Sequence, residues 1–463
     1  MKNIHFVLVQ PPIGKRIVSI TPALGLPYLA AILEKKRVRV SCIVADAEGL
    51  NVEETAQEVV DLNPDVVGFS IATNNAYNAY KITRLVREKA KDIIFIAGGP
   101  HSAVLPEDVL NNGIDYVCVG EGERTISDFV DFLWKKKEIE EGKGVSYFVD
   151  GKIKYNERQP LIENLDELPY PAWHLFPIDR YHSEFKKGER CLPIMTSRGC
   201  PGQCIFCYKG LFGNRFRVRG SQSVVDEIEY LKEKFKIDTF DILDDYFTAI
   251  PKRAIDICKL LIKRKINLSW GLPSGIRVDT ASKILFQSLK EAGCYRIGFG
   301  VESGNDEILK IIKKFITKAQ VRKAVGMAKK IGFEISCFFI IGNLGETEKT
   351  VNDTIEFAKE LDPDIAQFTM AIPYPGSEMF NILKSQNRIT SFDWDDYDYF
   401  KASHQVFRHE NLEFSLIQRK IKKAYRSFYF RPRYIYRKII SVSSLKDIIN
   451  LFKSLLRLIG IFK

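Results

Sequence analysis

The chain has 463 residues, enough for about three domains of ordinary size. Hydrophobic residues make up 45% and charged residues 27%, which argues against a disordered chain, and no apolar run is long enough for a membrane-spanning helix. The net charge of +11 is concentrated at the C-terminal end: residues 411–463 contain 13 Lys and Arg and two acids, and the rest of the chain is neutral overall.

The first segment predicts a buried strand and not an export signal. Residues 4–9 form a short alternating apolar stretch without a small-residue cleavage site, and Pro11-Pro12 follows at once. Nine cysteines without an export signal are typical of thiols in a reducing compartment. We therefore expect a cytoplasmic protein.

Residues 1–140 alternate β-branched runs with helical periodicity. Strands are predicted at 4–9, 38–44, 66–71, 93–97 and 116–119, and helices at 25–36, 52–62, 75–90 and 106–112. This alternation predicts a parallel sheet covered by helices on both faces. Five strands in this length indicate a flavodoxin-like (Rossmann-like) α/β domain, whose ligand binds beyond the carboxyl ends of the strands.

Residues 141–190 are punctuated by Gly and Pro, which predicts a small hairpin followed by an extended connector. The alternation resumes at 191–400, with strands predicted at 191–197, 239–243, 269–272, 295–300, 334–340 and 365–372. Helices are predicted between them near 221–235, 251–264, 279–292, 304–312, 317–331 and 346–361. Six such units indicate a partial (βα)6 barrel of TIM type, with its chemistry at the carboxyl ends of the strands. Residues 401–463 form a fourth region, a basic helical tail.

Three of the nine cysteines are clustered. Cys200, Cys204 and Cys207 are separated by three and two residues, and three soft thiolates on one tight loop suit an iron–sulfur cluster with one iron left open. The alternative is a structural zinc site, which generally takes four closed ligands, and no second Cys or His pair lies nearby. The six other cysteines are interpreted as buried spectator thiols: Cys42, Cys118, Cys191, Cys258, Cys294 and Cys337.

The cysteine loop resembles that of the radical S-adenosylmethionine superfamily, in which a CxxxCxφC loop follows the first barrel strand. Phe206 occupies the aromatic φ position, and Ser197-Arg198-Gly199 leads in from the strand. The resemblance implies a [4Fe–4S] cluster whose open iron chelates the methionine moiety of S-adenosylmethionine. One electron then splits the sulfonium to give methionine and a 5′-deoxyadenosyl radical. It therefore also implies a one-electron donor such as ferredoxin or flavodoxin.

Residues after the second and third barrel strands fit the same resemblance. Asp244 and Asp245 follow the second strand, where the family binds the methionine amine, and a carboxylate suits an ammonium. Arg277 follows the third strand and is a candidate partner for the methionine carboxylate. The alternative role for an acid at a strand end is to cap the N-terminus of the following helix.

The fourth and fifth strand ends continue the pattern. Glu302 lies in a glycine-rich segment after the fourth strand and is a candidate acceptor for ribose hydroxyls, with Ser303 beside it. Gly342 lies in the loop after the fifth strand, where the resemblance implies that the adenine binds. In this order, behind the cysteine loop, the assignments support one another.

Two loops of the N-terminal region resemble those of cobalamin-binding radical enzymes. Gly99 and His101 lie in the Gly-Gly-Pro-His segment after the fourth strand, and Gly120 and Glu121 begin the Gly-Glu-Gly-Glu segment after the fifth. Ser70 ends the third strand. The resemblance implies that these residues contact cobalamin and that the glycines let the backbone approach the flat macrocycle.

One departure from that resemblance concerns the cobalt ligand. Proteins that ligate cobalt through histidine carry DxHxxG after the second strand, whereas the stretch from Asp46 here has Glu48 in place of the histidine. Any bound cobalamin is therefore expected to lack a histidine ligand from this loop, and we interpret His101 as a loop contact. A degenerate domain that has lost the cofactor is the alternative.

The tail combines basic, aromatic and amphipathic character. No acid lies between Glu413 and Asp447, and residues 445–459 repeat apolar side chains at spacings of three and four, which predicts an amphipathic helix with a basic face. Three interpretations compete for the tail. We favour contact with an anionic membrane surface, over docking on the barrel and over RNA binding, which makes nucleic acid the least expected partner.

The resemblance covers residues 1 to about 400 and implies a cobalamin-binding radical S-adenosylmethionine enzyme, of the group that includes methyltransferases and the anaerobic magnesium-protoporphyrin ester cyclase. The first hypothesis is a methyltransferase acting on an unactivated carbon. No motif identifies its small-molecule substrate; the tail alone points to a lipid-like one and to a peripheral position on the inner face of the membrane. The alternatives are cobalamin-assisted ring formation or rearrangement without methyl transfer, and a non-catalytic cluster-bearing membrane adaptor.

Overall fold

The computed structural model describes residues 4–13, 19–20, 23–183, 188, 190–398 and 404–440. Its first strands are β1 (His5–Gln10), β2 (Ser19–Ile20), β3 (Arg39–Val44), β4 (Val66–Ser70), β5 (Ile94–Gly98), β6 (Tyr116–Cys118), β7 (Val145–Val149) and β8 (Lys152–Tyr155). Seven of them form one sheet in the order β3-β1-β4-β5-β6-β7-β8, and β1 and β3 to β6 are parallel. This order confirms the flavodoxin-like prediction and places the switch point between β1 and β4.

Helices cover both faces of this sheet: α1 (Gly25–Lys35), α2 (Ala45–Glu48), α3 (Val52–Leu62), α4 (Ala76–Lys89), α5 (Pro100–Val104), α6 (Pro106–Asn111) and α7 (Gly122–Leu133). The predicted bounds of α3 are confirmed, and a capping box explains them. Asn51 Oδ1 accepts from Glu54 N, and the Glu54 carboxylate accepts from Asn51 N, each at 2.9 Å. The sequence analysis missed α7, which buries Ile126 and Phe129 against the sheet.

The predicted hairpin is β7 with β8, and it belongs to the N-terminal sheet. Strand β7 pairs antiparallel with β6, and β8 pairs antiparallel with β7. The sheet therefore extends to Tyr155, beyond the boundary predicted at residue 140. The connector that follows contributes β9 (His182–Ser183), which pairs antiparallel with β2.

The second part of the chain contains β10 (Cys191–Ile194), β11 (Ser197–Arg198), β12 (Arg217–Val218), β13 (Thr239–Ile242), β14 (Ser269–Ile276), β15 (Cys294–Glu302), β16 (Glu334–Ile341) and β17 (Ile365–Met370). Strands β10 and β13 to β17 form a six-stranded parallel sheet in chain order, which confirms the predicted partial barrel. Strands β11 and β12 form a separate antiparallel hairpin.

The helices of the barrel are α8 (Ser221–Phe235), α9 (Pro251–Lys263), α10 (Lys283–Glu291), α11 (Asp306–Ile311), α12 (Lys318–Ile331), α13 (Glu348–Leu361) and α14 (Glu378–Ser385). Apolar strand residues such as Ile297, Phe299 and Phe339 are completely buried beneath them. Because the six strands run in one direction, their carboxyl ends lie at one edge of the barrel. That edge carries the cysteine loop and the strand-end residues predicted from the sequence.

Two helices of the basic tail, α15 (Phe414–Tyr429) and α16 (Pro432–Ile440), dock beside β17. Tyr429 Oη donates to Ala366 O at 2.9 Å and accepts from Ala366 N at 3.1 Å, and Tyr425 Oη accepts from Phe368 N at 3.2 Å. Tyrosine hydroxyls thus complete the hydrogen bonding of an edge strand, which would otherwise be left open.

The docked helices also place two of the basic side chains in ion pairs. Arg431 and Arg437 both bond to the carboxylate of Asp362, at 2.7 and 3.0 Å. Residues 414–440 therefore dock on the barrel, as one of the three interpretations expects, and membrane contact stays a prediction for the outward-facing side of these helices. The amphipathic helix predicted at 445–459 lies outside the described residues. None of the helices in the described part of the chain combines the length and the apolar character needed to cross a membrane.

Candidate functional site

The three clustered cysteines lie on the loop after β11, at the carboxyl edge of the barrel. Cys207 N donates to Cys204 O at 3.3 Å, and the two thiols are hydrogen-bonded to each other. The hydrogen bond between the two thiols lowers the pKa of Cys204 and raises that of Cys207, so the two cysteines share one proton. Burial raises the pKa of Cys200. Within the described residues, no three His, Cys, Asp or Glu side chains are spaced to hold a single metal ion.

Backbone bonds fix the cysteine loop from two sides. Ile205 N donates to Ile312 O at 3.1 Å, just beyond α11, and Met379 N, in α14, donates to Ile205 O at 2.8 Å. Phe206, the aromatic residue of the motif, is half-buried. The loop is thereby held against the strand ends that carry the other predicted residues.

The structure separates the roles of the two aspartates after β13. Asp244 is buried and accepts hydrogen bonds from the backbone and hydroxyl of Thr196 and from the hydroxyl of Ser197. Its carboxylate therefore joins β13 to the strand that leads into the cysteine loop. Asp245 is exposed, and its Oδ2 accepts from Gly199 N at 3.1 Å, one residue before Cys200. Of the two, only Asp245 is open to an ammonium group.

Arg277 lies beside the cysteine loop and forms an ion pair. A Cβ placed on Gly202 would lie 3.6 Å from Arg277 Nη1, so the guanidinium is close to the loop backbone. Arg277 Nε and Nη2 donate to the Asp279 carboxylate at 3.0 and 2.8 Å. The remaining amino group, Nη1, is therefore the one that lies next to the cysteine loop.

Glu302, at the end of β15, forms a buried ion pair that the sequence analysis missed. Lys314 Nζ donates to Glu302 Oε1 at 2.9 Å, and each residue is 7% exposed. No motif marks Lys314, which is one of many lysines in the chain. Ser303, by contrast, is completely buried, and its hydroxyl lies 3.2 Å from Thr354 Oγ1. Its side chain therefore faces α13.

The loop after β16 contains a buried acid to which the sequence analysis gave no role. Glu346 is completely buried and accepts from Gly342 N at 2.6 Å and from Asn343 N at 3.1 Å. Burial raises the pKa of Glu346 to about 8. Gly342 has a φ of +92°, and a Cβ there would lie 3.2 Å from Ile417 of α15. The predicted adenine loop is thus closed on its outer side by the docked tail.

His409, which follows the barrel, fixes the same loop. His409 Nδ1 accepts from Asn411 N and Leu412 N at 3.0 and 3.1 Å, so its Nε2 carries the proton and donates to Asn343 O at 2.8 Å. The contact between His409 and Asn343 could not be predicted from the sequence, because no motif links the two positions, which are 66 residues apart.

The predicted cobalamin loops lie at the carboxyl edge of the N-terminal sheet. Gly99 has a φ of +99°, and a Cβ there would lie 2.6 Å from Ile71 O. A side chain at this position would collide with the backbone of Ile71, so the fold itself requires a glycine here, independently of any ligand. Gly120 has a φ of +105°, and its missing Cβ would point into open space. Ser70, at the end of β4, is half-buried. The backbone at Gly120 thus faces open space, whereas the backbone at Gly99 does not.

His101 is buried in a hydrogen-bonded network and is not available to a metal. Its Nε2 lies 3.2 Å from Asp108 Oδ2, and its Nδ1 lies 3.3 Å from Thr73 Oγ1. Trp394, which follows the barrel, donates to the same Asp108 oxygen at 3.1 Å, and its ring packs edge-on against His101. His101 is therefore a contact between the N-terminal sheet and the segment after the barrel, which differs from the cobalamin contact that the sequence predicts.

Glu121 is expected from the sequence to contact cobalamin, but its carboxylate faces the barrel and binds two arginines there. Arg198 Nη1 donates to Glu121 Oε1 at 2.8 Å, and Arg217 Nη1 donates to both oxygens at 2.9 Å. Glu123 also accepts from Arg198. Burial alone would raise the pKa of Glu121, but Arg217 and Arg198 hold that pKa below its ordinary value. The two acids and two arginines balance one another's charge at the domain boundary.

The residue that replaces the cobalt-binding histidine is engaged locally. Glu48 Oε1 accepts from Val44 N at 2.8 Å, so its side chain folds back on the start of α2. Asp46 accepts from Ile13 N through both carboxylate oxygens, at 3.2 and 3.0 Å. Both side chains thus form hydrogen bonds to nearby backbone.

The two carboxyl edges approach each other beside the cysteine loop. A Cβ placed on Gly376, which follows β17, would lie 2.8 Å from the ring of Tyr208 and 2.9 Å from Val104 Cγ2. Tyr208 follows Cys207 directly, and Val104 ends α5 in the N-terminal part. The cysteine loop and the Gly99–His101 loop therefore border one region between the two sheets.

The donor sets fit the expected cofactors. Three thiols on one anchored loop suit a [4Fe–4S] cluster, and Asp245 and Arg277 on either side of it suit the ammonium and carboxylate of S-adenosylmethionine. Open space beside Gly120 suits a macrocycle, and the engagement of His101 means that such a cofactor would be held without that histidine.

Comparison with known proteins points to the same three cofactors. Residues 12–130 match the model of the B12 binding domain, and residues 194–358 match that of the radical SAM superfamily. An uncharacterized methyltransferase of Pyrococcus horikoshii is 36% identical over 446 residues, with 95% of each chain covered. The cytidylyl-2-hydroxyethylphosphonate methyltransferase of Streptomyces wedmorensis is 30% identical over 413 residues, covering 78% of this chain and 77% of the relative.

A solved structure shows the same fold. The cobalamin-dependent S-adenosylmethionine radical enzyme OxsB aligns with a TM-score of 0.78 at 19% identity, covering 100% of this chain and 72% of that one. The order of the two sheets and the docking of one on the other are therefore those of a known architecture. The chain belongs to the family of cobalamin-binding radical S-adenosylmethionine enzymes, whose cofactors are a [4Fe–4S] cluster, S-adenosylmethionine and cobalamin.

Proposed function

We propose that this enzyme methylates an unactivated carbon of a small molecule held between the N-terminal sheet and the barrel. The observation that carries the proposal is the approach of Tyr208 and Val104 at Gly376, which brings the radical-generating loop and the cobalamin loops to one region. Bound there, the cofactors supply a 5′-deoxyadenosyl radical and a transferable methyl group. The protein's part is to hold substrate between them and to exclude water.

The side chains at the barrel edge are proposed to bind S-adenosylmethionine. Asp245 binds the ammonium of the methionine moiety, because Asp244 is occupied by Thr196 and Ser197. Arg277 binds the carboxylate, and Glu302 accepts from the ribose hydroxyls. Phe206 and the backbone at Gly342 border the cluster and the adenine.

The N-terminal loops are proposed to hold cobalamin through backbone and small side chains. Ser70, Gly99 and Gly120 border the macrocycle, and His101 and Glu121 act behind them by fixing the loops to the barrel. Electron paramagnetic resonance of bound cob(II)alamin tests this assignment. We expect no nitrogen splitting from a protein histidine in the wild type, and such splitting would contradict it.

A turnover assay tests the reaction itself. The protein is reconstituted anaerobically with iron, sulfide, cobalamin and S-adenosylmethionine, reduced by flavodoxin or a chemical donor, and supplied with extracts of candidate substrates. Methyl transfer predicts S-adenosylhomocysteine together with 5′-deoxyadenosine. Without S-adenosylhomocysteine, 5′-deoxyadenosine indicates ring formation or rearrangement, and neither product from an intact cluster indicates an adaptor. Cys204→Ala is the control that removes the cluster.

A second proposal concerns the outer surface of the tail, which suits an anionic membrane. Five exposed apolar residues lie on and beside α16: Phe430, Ile435, Tyr436, Ile439 and Ile440. Exposed cations lie close to them in sequence: Arg419, Lys422, Lys423, Arg426 and Arg433. Each basic residue near an anionic surface adds about 1 kcal/mol to binding. A lipid-like substrate would be reached from this side.

Vesicle sedimentation tests membrane contact. We expect the full chain to bind vesicles that contain phosphatidylglycerol and not vesicles of phosphatidylcholine alone. Replacing Ile439 and Ile440 together by serine is expected to weaken binding, whereas Ile284→Ser, at an exposed position of the barrel, is not. Equal binding by both variants would contradict the proposal.

A further inference from the structure

A strained turn holds Lys314 beside the cysteine loop. Lys313 and Phe315, on either side of it, both have a φ of +52°, and Glu302, its ion-pair partner, has a φ of +65°. Residues other than glycine seldom adopt this left-handed region, and each instance is costly enough that the surrounding structure must enforce it. Three such residues around one ion pair indicate that the position of Lys314 is important to the fold or to the site.

The ion pair itself is buried and closely fitted. Lys314 and Glu302 are each 7% exposed, and their charged atoms are 2.9 Å apart. A Cβ on Gly300 would lie 2.8 Å from Lys314 Nζ and 2.6 Å from Glu302 Oε1, so the glycine makes the space in which the charges meet. Burying two charges generally costs more than their attraction returns. An ion pair kept at this position therefore suggests a role beyond stability.

The turn is also bonded to the cysteine loop. Ile205 N, between two of the cysteines, donates to Ile312 O at the start of the turn, at 3.1 Å. Burial alone would lower the pKa of Lys314, but the Glu302 carboxylate raises it, so the ammonium stays charged.

We infer that Lys314 is a positioning residue of the cluster site, which offsets the negative charge of the cysteine thiolates and holds the Glu302 carboxylate at the strand end. The inference rests on the proposed function and adds a residue to it. A fixed positive charge beside the cluster favours the reduced, more negative state. The ion pair with Glu302 limits that effect, so the two side chains act on the cluster in opposite directions.

Removing the charge of Lys314 and removing that of Glu302 are expected to shift the reduction potential of the cluster in opposite directions. Lys314→Met removes a positive charge and is expected to make the reduction potential of the cluster more negative. Glu302→Gln removes a negative charge and is expected to make it less negative. The double variant removes the pair as a whole and is expected to return the potential towards that of the wild type. A merely structural role does not predict shifts of opposite sign.

The measurement is a redox titration of each reconstituted protein without S-adenosylmethionine, followed by electron paramagnetic resonance. Iron content and thermal unfolding show that each variant has folded and holds its cluster. Lys313→Met is the matched control, because Lys313 lies in the same turn with the same φ but pairs with Glu378 at the surface. Its potential is expected to stay unchanged, and Lys314→Arg is expected to keep most of the wild-type potential.

Anaerobic calorimetry of S-adenosylmethionine binding tests the positioning role. We expect Lys314→Met to raise the dissociation constant about tenfold, because Glu302 loses the donor that holds it. The inference is overturned if both single variants shift the potential in one direction, or if neither shifts it more than Lys313→Met. A wild type that holds the cluster but makes no 5′-deoxyadenosine would instead overturn the proposed function, and the potentials would still decide the role of Lys314.

Discussion

The guanidinium of Arg198 and the carboxylate of Glu121 form an ion pair across the domain boundary, with Nη1 2.8 Å from Oε1. Their side chains are only 4% and 2% exposed. Arg198 lies two residues before Cys200, and Glu121 lies in the loop after the last parallel strand of the N-terminal sheet. The pair therefore joins the approach to the cysteine loop directly to a predicted cobalamin loop.

Removing the acid from this pair is expected to be strongly destabilising. Glu121→Gln leaves Arg198 and Arg217 in a buried site with one compensating charge fewer, and breaking such a pair costs about 3 to 5 kcal/mol. Chemical denaturation of wild type and variant measures the loss. Glu163→Gln is the control, because Glu163 pairs with Arg215 at the surface and such a pair contributes about 1 kcal/mol or less. Equal losses in the two variants would contradict a buried network.

The tail should contribute to stability through the hydroxyl of Tyr429. Tyr429→Phe removes both hydrogen bonds to Ala366 and leaves its backbone N–H and C=O without partners at the edge of β17. The expected loss is about 1 to 3 kcal/mol in the free energy of unfolding. Tyr436→Phe, at a side chain that is 67% exposed, should change it little. If the two variants unfold at the same denaturant concentration, the edge-strand contact is not formed in solution.

The strands and the order of the site residues could be predicted because they depend on local pattern. Alternating runs fix the strands, and parallel strands bring Asp245, Arg277 and Glu302 to one edge whatever the loops do. The ion pairs could not be predicted in this way. Nothing near Glu121 in the sequence points to an arginine 77 residues later, so its carboxylate was assigned to a cofactor and not to Arg198.

His101 is a second residue whose partners could not be predicted from its motif. Its position in the Gly-Gly-Pro-His segment suggested a cofactor contact, but its partners are Thr73, Asp108 and the ring of Trp394. His101→Ala is expected to cost about 2 to 4 kcal/mol, because it opens a cavity and removes a donor from a shared carboxylate. His174→Ala, at an exposed side chain that pairs with Glu34, should cost far less. A smaller loss for His101 than for His174 would contradict the network.

Two acids in and beside the loop after β16 should give the protein opposite pH dependences. Burial raises the pKa of Glu346 to about 8. Burial would also raise the pKa of Glu410, but the hydrogen bonds from Gly345 N and Arg388 have the larger effect and lower that pKa below its ordinary value. The folded protein keeps a proton on Glu346 that the unfolded chain releases above about pH 4.5. The stability from Glu346 is therefore complete below pH 4.5 and is lost as the pH rises through 8. The total loss is about 5 kcal/mol.

Substitution by glutamine separates the two effects. Glu346→Gln keeps an acceptor for Gly342 N and carries no charge, so its unfolding temperature is expected to exceed that of the wild type increasingly from pH 5 to 8. Glu410→Gln removes a carboxylate whose contribution is present above its unfolded pKa of 4.5 and is lost as the pH falls through its lower folded pKa. The variant should therefore be less stable than the wild type at pH 7, and the difference should shrink only below pH 4.5. Because each variant is compared with the wild type at the same pH, the other titrating groups cancel. A Glu346→Gln difference that does not change with pH would mean that Glu346 is ionised in the folded protein, and the loop would then need a cation beside its free oxygen.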